Sequence, residues 1–542
     1  MPTRLPDFAT FILFALIAHL FYFPTWNAGF VTDFTGLLWR FDGSSFWDVF
    51  NCFGFPALEQ FLNLCLYLFY QLFGKQAIAW YVLFTSFHIF NTCLAYKLGT
   101  LILRALKIES AERLAFFAAL FFLLSPFHTE VVVWKVCLNF LMVSCFMLSS
   151  MIQTILWLEG RKRQPYLALL FFFLALFTFE LAIMLPIMSA ALIVFLPVKP
   201  IEGVSRPEAF KKGILPQFLL LGMYFVLNKI VLGEWVGHYG PEVHFNFDWL
   251  LMSSNGLAYF FKLLTFSRYW EHGDKEAFLF FLQKPPIAVM GLMLGLGMVL
   301  WGLLRQHSRK LKAISLCLGL FGLAIGPVSN LYFYYIQYLE NDRYSYLASV
   351  FFFLFLSVLL SYLPRRLYHL SALVFICLSA VLLWRTNQHW KSATLVYNGL
   401  LDSFEWYDAP EVYLLNLPDN YKGVLLFRDF TEQNLAFADA LKYIKDQPYE
   451  GKMYDVAQYN MISVNDGVSV TQDSTGLISV TFNQWGNWWW RKGIGMDKTV
   501  EKGNYTIANQ GHHYEIAFDS LPPNAVLLYQ DSLKWKQAVL LD

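Results

Sequence analysis

The stretch SPFHTEVVVWK, residues 125–135, follows the apolar run LAFFAALFFLL and sets His128, Glu130 and Lys135 against a hydrophobic segment of membrane length. Ionisable groups in such a place are costly and are kept where they pair or act. The rest of the chain is of the same kind. Of 542 residues, 57% are hydrophobic, 19% aromatic and only 15% charged, against about 25% charged in an ordinary soluble domain. This is the composition of an integral membrane protein. A formal net charge of +1 offers no basic surface for nucleic acid and no acidic tail. The seven cysteines, Cys52, Cys65, Cys93, Cys137, Cys145, Cys317 and Cys377, are scattered through the apolar part without CxxC spacing. They indicate neither a disulfide framework nor a zinc site. The N-terminus MPTRLPDFATFILFALIAHLFYF has a weak basic region and no small-residue cleavage site, which predicts a retained first span.

A span needs about 20 apolar residues, fewer where the bilayer thins. The runs that qualify are 9–24, 76–103, 114–127, 138–158, 165–180, 182–197, 214–232, 286–304, 314–332, 346–363 and 370–384, about eleven in all. The run 58–73 fits either a span or an interfacial helix. Positive charge sets the orientation. Arg104, Lys107 and Arg113 share one loop, Arg161, Lys162 and Arg163 the next alternate one, followed by Lys199, Arg206, Lys211 and Lys212, then Arg305, Arg309, Lys310 and Lys312, then Arg365 and Arg366. All fall on one face, which is therefore cytoplasmic. With an odd number of spans, the chain beyond Trp384 lies outside. The domains are thus 1–384, a polytopic α-helical membrane domain, and 385–542, an extracytoplasmic domain of mixed α/β or β-rich character. Its signals are a helix around FTEQNLAFADALKYIKD and then short alternating segments, GLISVTFNQW, NYTIANQ, HYEIAF and AVLLYQD. The Trp-rich QWGNWWWRKG, residues 484–493, fits a β core, a membrane interface or a sugar-stacking face.

Four polar clusters share the outer side: FVTDF with Asp33, SPFHTE with His128 and Glu130, YFFKLLTFSRYWEHGD with Lys262, Arg268 and His272, and ENDRYSYLAS with Asp342, Arg343 and Tyr346. Each adjoins a span end. A hollow lined by them suits a substrate with an apolar tail in lipid and a polar head in water. A carboxylate able to act as base, with cations placed to receive a departing phosphate, is what glycosyl transfer from a polyprenyl phosphate needs.

The same segments carry a resemblance. GFVTDF is similar to the GFVYDD-type first loop of the transmembrane and tetratricopeptide-repeat O-mannosyltransferases of the GT-C superfamily, and SPFHTEVVVWKVCLNFL to their HPIHTEAVAWxxGRxDLL block. PVSNLYF and ENDRYSYLASV resemble their PVSNLLF and AERYLYLPSVGF blocks, and RTNQHWKSATLVYNGLL their closing W..S..L..ALL run. The similarity covers roughly residues 25–400, with the motifs in the family's order. It implies a GT-C fold and an inverting transferase that takes a sugar, mannose in that family, from a polyprenyl-phosphate donor. The acceptor would be a hydroxyl of protein Ser or Thr or of a glycan or glycolipid, at the outer face of what reads as a bacterial inner membrane. It implies Asp33 as the catalytic base, His128 and Glu130 as shaping the acceptor or donor site, and Asp342, Arg343 and Tyr346 in the place of the AERY group.

The departures are specific. Phe34 replaces the second acidic residue, Ser125 the first His, FPAL stands for YRPL without its Arg, and Asn139 stands near an acidic position. The family's helical repeats are replaced by the 385–542 tail. Each site residue also has a plainer reading: Asp33 as a helix cap, Thr129 and Glu130 as caps of the next helix, Arg343 as an ion-pair partner of Asp342, and Lys262 and Arg268 as snorkelling cations. Arg343 suits bidentate phosphate binding, with Lys262 and Arg268 as helpers. No cofactor is demanded; Asp33, His128 and Glu130 are able in principle to hold a divalent ion, but their order along the chain gives no spacing that demands one, and the resembled family is regarded as metal-free. Two other functions compete. One is an inactive relative serving as a scaffold in an envelope complex, with protein partners on the outer domain. The other is a transporter of lipid-linked sugars, for which midplane charges and internal repeats would be the signature.

Overall fold

The computed structural model describes residues 8–31, 38, 41, 43–51, 57–161, 165–197, 205–235, 248–304, 308–329, 339–427, 436–474, 476–483, 488–489, 499–511, 513–521 and 523–539. Asp33, Phe34, Cys52, residues 330–333 of PVSNLYF and most of QWGNWWWRKG lie outside the described residues. The chain divides into two compact units. One holds Met1–Phe23, Ser45–Gly74 and Ala79–Thr386; the other holds Pro24–Ser44, Lys75–Ile78 and Asn387–Asp542.

Among the described residues, eight helices are long and apolar enough to cross a membrane: Phe8–Thr25, Ala77–Ala105, Lys135–Leu158, Arg206–Leu232, Pro285–Leu304, Arg309–Ser329, Asp342–Leu360 and Arg365–Asp402. They match eight of the eleven spans read from the sequence. The other three differ in form. The 114–127 run is a broken span, Ala111–Leu123 followed by Pro126–Val133 and bent by 53°. The 165–180 and 182–197 runs are the shorter helices Tyr166–Leu176 and Glu180–Phe195. At about 1.5 Å per residue, the 11 residues of Tyr166–Leu176 cover roughly 17 Å of a ~30 Å hydrocarbon core. Apolar length was visible in the sequence; the interruption at Thr178–Phe179, where the chain turns extended before Glu180, was not. The ambiguous 58–73 run is the helix Gln60–Phe73.

Burial sorts the spans by position. Lys135–Leu158 is 89% buried and Asp342–Leu360 83%, whereas Pro285–Leu304 is 11% buried. The first two are therefore central. The last turns Met290, Met293, Leu294, Leu296, Leu300 and Trp301 outward, an apolar surface that only lipid suits. Small residues bring neighbours close: a Cβ on Gly302 would lie 2.0 Å from Ser315 Oγ, so Pro285–Leu304 and Arg309–Ser329 pack almost backbone to backbone there.

The Asn387–Asp542 part of the second unit contains the strands. One four-stranded sheet runs in the order Lys534–Gln537, Val526–Asp531, Glu411–Leu414, Lys452–Asp455, with Glu411–Leu414 parallel to both of its neighbours. A five-stranded antiparallel sheet runs Val468–Gln472, Ile478–Phe482, His513–Phe518, Tyr505–Asn509, Thr499–Lys502. Ile478, Val480, Tyr505, Ile507, Tyr514 and Ile516 are buried while the residues between them are less so, the alternation of a sheet with one covered face. A third sheet orders Val424–Leu425, Leu417–Tyr421, Gln458–Met461 and Trp488–Trp489. Helix Ala436–Ile444 turns Phe437, Ala440 and Leu441 inward.

Candidate active site

The break in the Ala111–Val133 segment has a local cause. A residue before proline is driven from the α region, and Ser125 sits at φ −63°, ψ 124°, with Pro126 opening a short 3₁₀ turn to His128. One turn of α-helix follows, Thr129–Val133, then Trp134 is extended again before Lys135–Cys137 and the long helix Leu138–Leu158. Residues 125–135 are thus folded into a compact kink, and every one of them is buried.

Glu130, at 1% exposure, is held at both oxygens by one residue. The Arg343 amide donates to Oε2 at 2.7 Å and its guanidinium Nη1 to Oε1 at 2.5 Å. That guanidinium also lies over the rings of Trp134, 5.1 Å from the centroid, and Tyr344, 4.8 Å. Next to it in sequence, Asp342 is fully buried between two other cations. Lys262 Nζ donates to Oδ1 at 2.8 Å, and the Arg268 guanidinium pairs with Oδ2. The neighbours Asp342 and Arg343 thus each take an ion-pair partner from another segment.

Arg268 joins several segments at once. It donates to Pro126 O at 3.1 Å, a carbonyl at the kink, and to Thr386 Oγ1 at 3.3 Å, while lying 5.0 Å over the Phe127 ring. It is brought there by a sharp reversal: Phe266, which ends Trp249–Thr265, has φ 53° and ψ 36°, a left-handed conformation that side chains rarely adopt. Packing holds it, since its ring is 6.0 Å from Phe127 and 5.2 Å from Phe375. Among the described side chains of this cluster, three cations, Lys262, Arg268 and Arg343, face two carboxylates, Asp342 and Glu130. A fourth cation is near: burial, then the charges of Arg268 and Lys262, push the Lys275 ammonium down to about 8 against the pull of Glu276.

His128 faces the other way. Its Nε2 meets Ser349 Oγ at 2.8 Å, and its ring lies 4.8 Å from Tyr346. The Tyr346 hydroxyl in turn meets His88 Nδ1 at 2.8 Å and accepts from Asn91 Nδ2 at 3.3 Å. All of these are buried, so they form a polar knot within the bundle. The structure thus gathers Glu130, Lys262, Arg268, Asp342 and Arg343 around the kink and places His128 and Tyr346 in the adjoining knot. Asp33 is outside the described residues. Among the described residues no group of three or more His, Cys, Asp or Glu could hold a metal ion.

No protein-family model matches the chain, and no curated protein matches it. Among solved structures it is similar to an oligosaccharyltransferase of Archaeoglobus fulgidus, crystallised in complex with Zn and sulfate. The TM-score is 0.42 and the sequence identity 11%, with 82% of this chain and 62% of that chain covered. The chain thus spans less than two thirds of that protein's length.

Three participants, His88, Asn91 and Trp134, were missed in the sequence. His88 and Asn91 lie one turn apart in FHIFNT, inside the span Ala77–Ala105, where polar side chains are a signal in their own right. Trp134 closes the HTEVVVW run and gave no sign that its ring would carry the Arg343 guanidinium. Lys135, 2% exposed, lies 5.1 Å over the Phe84 ring and has no ion-pair partner among the described residues.

Proposed function

We propose that the chain is an inverting glycosyltransferase of GT-C type. It moves a sugar, mannose in the resembled family, from a polyprenyl-phosphate donor to a hydroxyl of a protein, glycan or glycolipid at the outer face of a bacterial inner membrane. The observation that carries this reading is the cluster at the kink, where Lys262 and Arg268 are fixed on Asp342 and Arg343 on Glu130. Cations held by buried carboxylates are preorganised, and their excess of one charge is directed at the negative charge that develops on a leaving phosphate. In this mechanism Asp33, on the strength of its GFVTDF motif, takes the acceptor proton. The acceptor oxygen bonds to the anomeric carbon as the bond from that carbon to the phosphate oxygen breaks on the opposite side. Arg343 receives the phosphate charge with help from Lys262 or Arg268. The 385–542 domain then lies in the periplasm and is free to meet protein partners.

The test is transfer of labelled sugar from polyprenyl-phosphate donors to peptide and glycan acceptors by purified protein. The native chain should transfer label, and Asp33→Asn should lose transfer by at least a hundredfold while eluting and unfolding as the native chain does. One observation favours a second reading, an inactive scaffold: both Glu130 and Asp342 are already engaged in ion pairs. On that reading Asp33→Asn leaves cellular function unchanged.

A further inference from the structure

The Asn387–Asp542 region holds a cavity of ≈ 370 Å³, lined by Trp406, Tyr407, Asp408, Gln447, Tyr449 and Glu450 among others. Its volume falls within the ~300–1,000 Å³ of small-ligand sites. Two loops build it, and they are tied together. The Tyr449 hydroxyl reaches the carbonyls of Tyr407 at 3.1 Å and Ala409 at 2.8 Å, and the Lys452 amide donates to Pro410 O at 2.8 Å. The approach is so close that a Cβ on Gly451 would lie 2.7 Å from Ala409 O and 2.8 Å from Pro410 O. The floor is thus rigid, and only glycine fits it.

Trp406 is anchored on this floor yet 49% exposed. Its ring stacks on Tyr449 at 5.9 Å and 19° and meets the buried Phe404 edge to face at 5.6 Å and 87°. An aromatic surface fixed in place and left to water beside hydrogen-bonding groups offers an apolar face for stacking. Around it Asp408, Glu450 and Gln447 are exposed, and neither carboxylate is in an ion pair among the described residues. A flat apolar platform ringed by hydrogen-bond acceptors and an amide matches a pyranose ring, whose C–H face is apolar and whose edge is a row of hydroxyl donors. The carboxylates repel phosphate and sulfate, and their desolvation opposes a purely apolar occupant.

We propose that this cavity binds a neutral pyranose unit of a glycan, stacked on Trp406 with its hydroxyls on Asp408, Glu450 and Gln447. The proposal does not rest on the transferase reading, because an inactive scaffold could use the same site. The test uses the full-length protein in lipid nanodiscs free of sugar detergents, probed by saturation-transfer NMR with mannotriose, maltotriose and triacetylchitotriose. At least one trisaccharide should receive saturation on its ring C–H protons. Trp406→Ala should remove that signal, and Gln447→Ala and Asp408→Asn should each weaken affinity by about tenfold, one hydrogen bond's worth. The proposal is overturned if none of the three sugars is saturated, or if the signal persists in both Trp406→Ala and Gln447→Ala. Tetramethylammonium displacing the sugars' signal with higher affinity would assign the cavity to a cation and overturn it equally. Transfer activity read in parallel keeps the two proposals apart, since the cavity variants leave Asp33 and the kink cluster intact.

Discussion

Glu130 and Asp342 are both buried carboxylates, but they do not carry equal burdens. Removing Asp342 leaves Lys262 and Arg268 facing each other, whereas removing Glu130 leaves one guanidinium that still lies over two rings. Breaking a buried pair from one side costs about 3–5 kcal/mol. Glu130→Gln should therefore lower stability toward the small end of that range and Asp342→Asn toward the large end. Adding Lys262→Met to Asp342→Asn should restore part of the loss, as read by thermal unfolding in detergent. Lys275 gives a pH dependence. Its proton is lost near 8 in the folded protein instead of near the usual lysine value, because burial and the charges of Arg268 and Lys262 disfavour the cation. The depressed value means that the cation's cost is felt in full below about 8 and is relieved progressively as pH rises from about 8 to the usual lysine value of 10.5. An anionic ligand reverses that preference. Affinity for decaprenyl phosphate should accordingly fall as pH is raised through about 8, and Lys275→Met should flatten the profile.

Among the elements, the pair Pro285–Leu304 and Arg309–Ser329 offers the sharpest test of packing. Gly302 lets Ser315 approach until its hydroxyl donates to Met298 O at 2.7 Å. Gly302→Val must push the helices apart, and a loss of about 1–3 kcal/mol is expected, seen as a lower unfolding midpoint with no change in the donor's binding. The same scale shows what a sequence can and cannot reveal. Helices of eight spans were legible because 18 or more apolar residues have few other fates. The reading of 114–127 as one span passes over Pro126, which disfavours continued helix at Ser125, and nothing local says that the broken end holds Glu130 against Arg343, 213 positions away. His128 and Tyr346 were read as lining a substrate hollow, and the structure sets them in a buried knot completed by His88 and Asn91. Which residues face one another across a bundle is decided by the rotation of each helix, and apolar periodicity is silent on rotation when a span is apolar all round.

At the scale of the whole molecule, the Lys and Arg distribution and the reading of eleven spans together predict a sidedness. Alkaline phosphatase fused after Asp542 should be active outside the cytoplasm, and the same reporter placed at Gly160, beside Arg161, should be inactive, because short basic loops are retained inside. The reverse pattern would remove the kink cluster from the outer face and with it the proposed chemistry. The 53° bend has one more consequence. The carbonyl of Pro126, at the break, accepts from Arg268, so proline and arginine are tied at the same point of the fold. In evolutionary terms they form a linked pair: lineages that straighten the segment by losing the proline should drift at the arginine as well, and co-substitution at these two positions should be enriched among descendants.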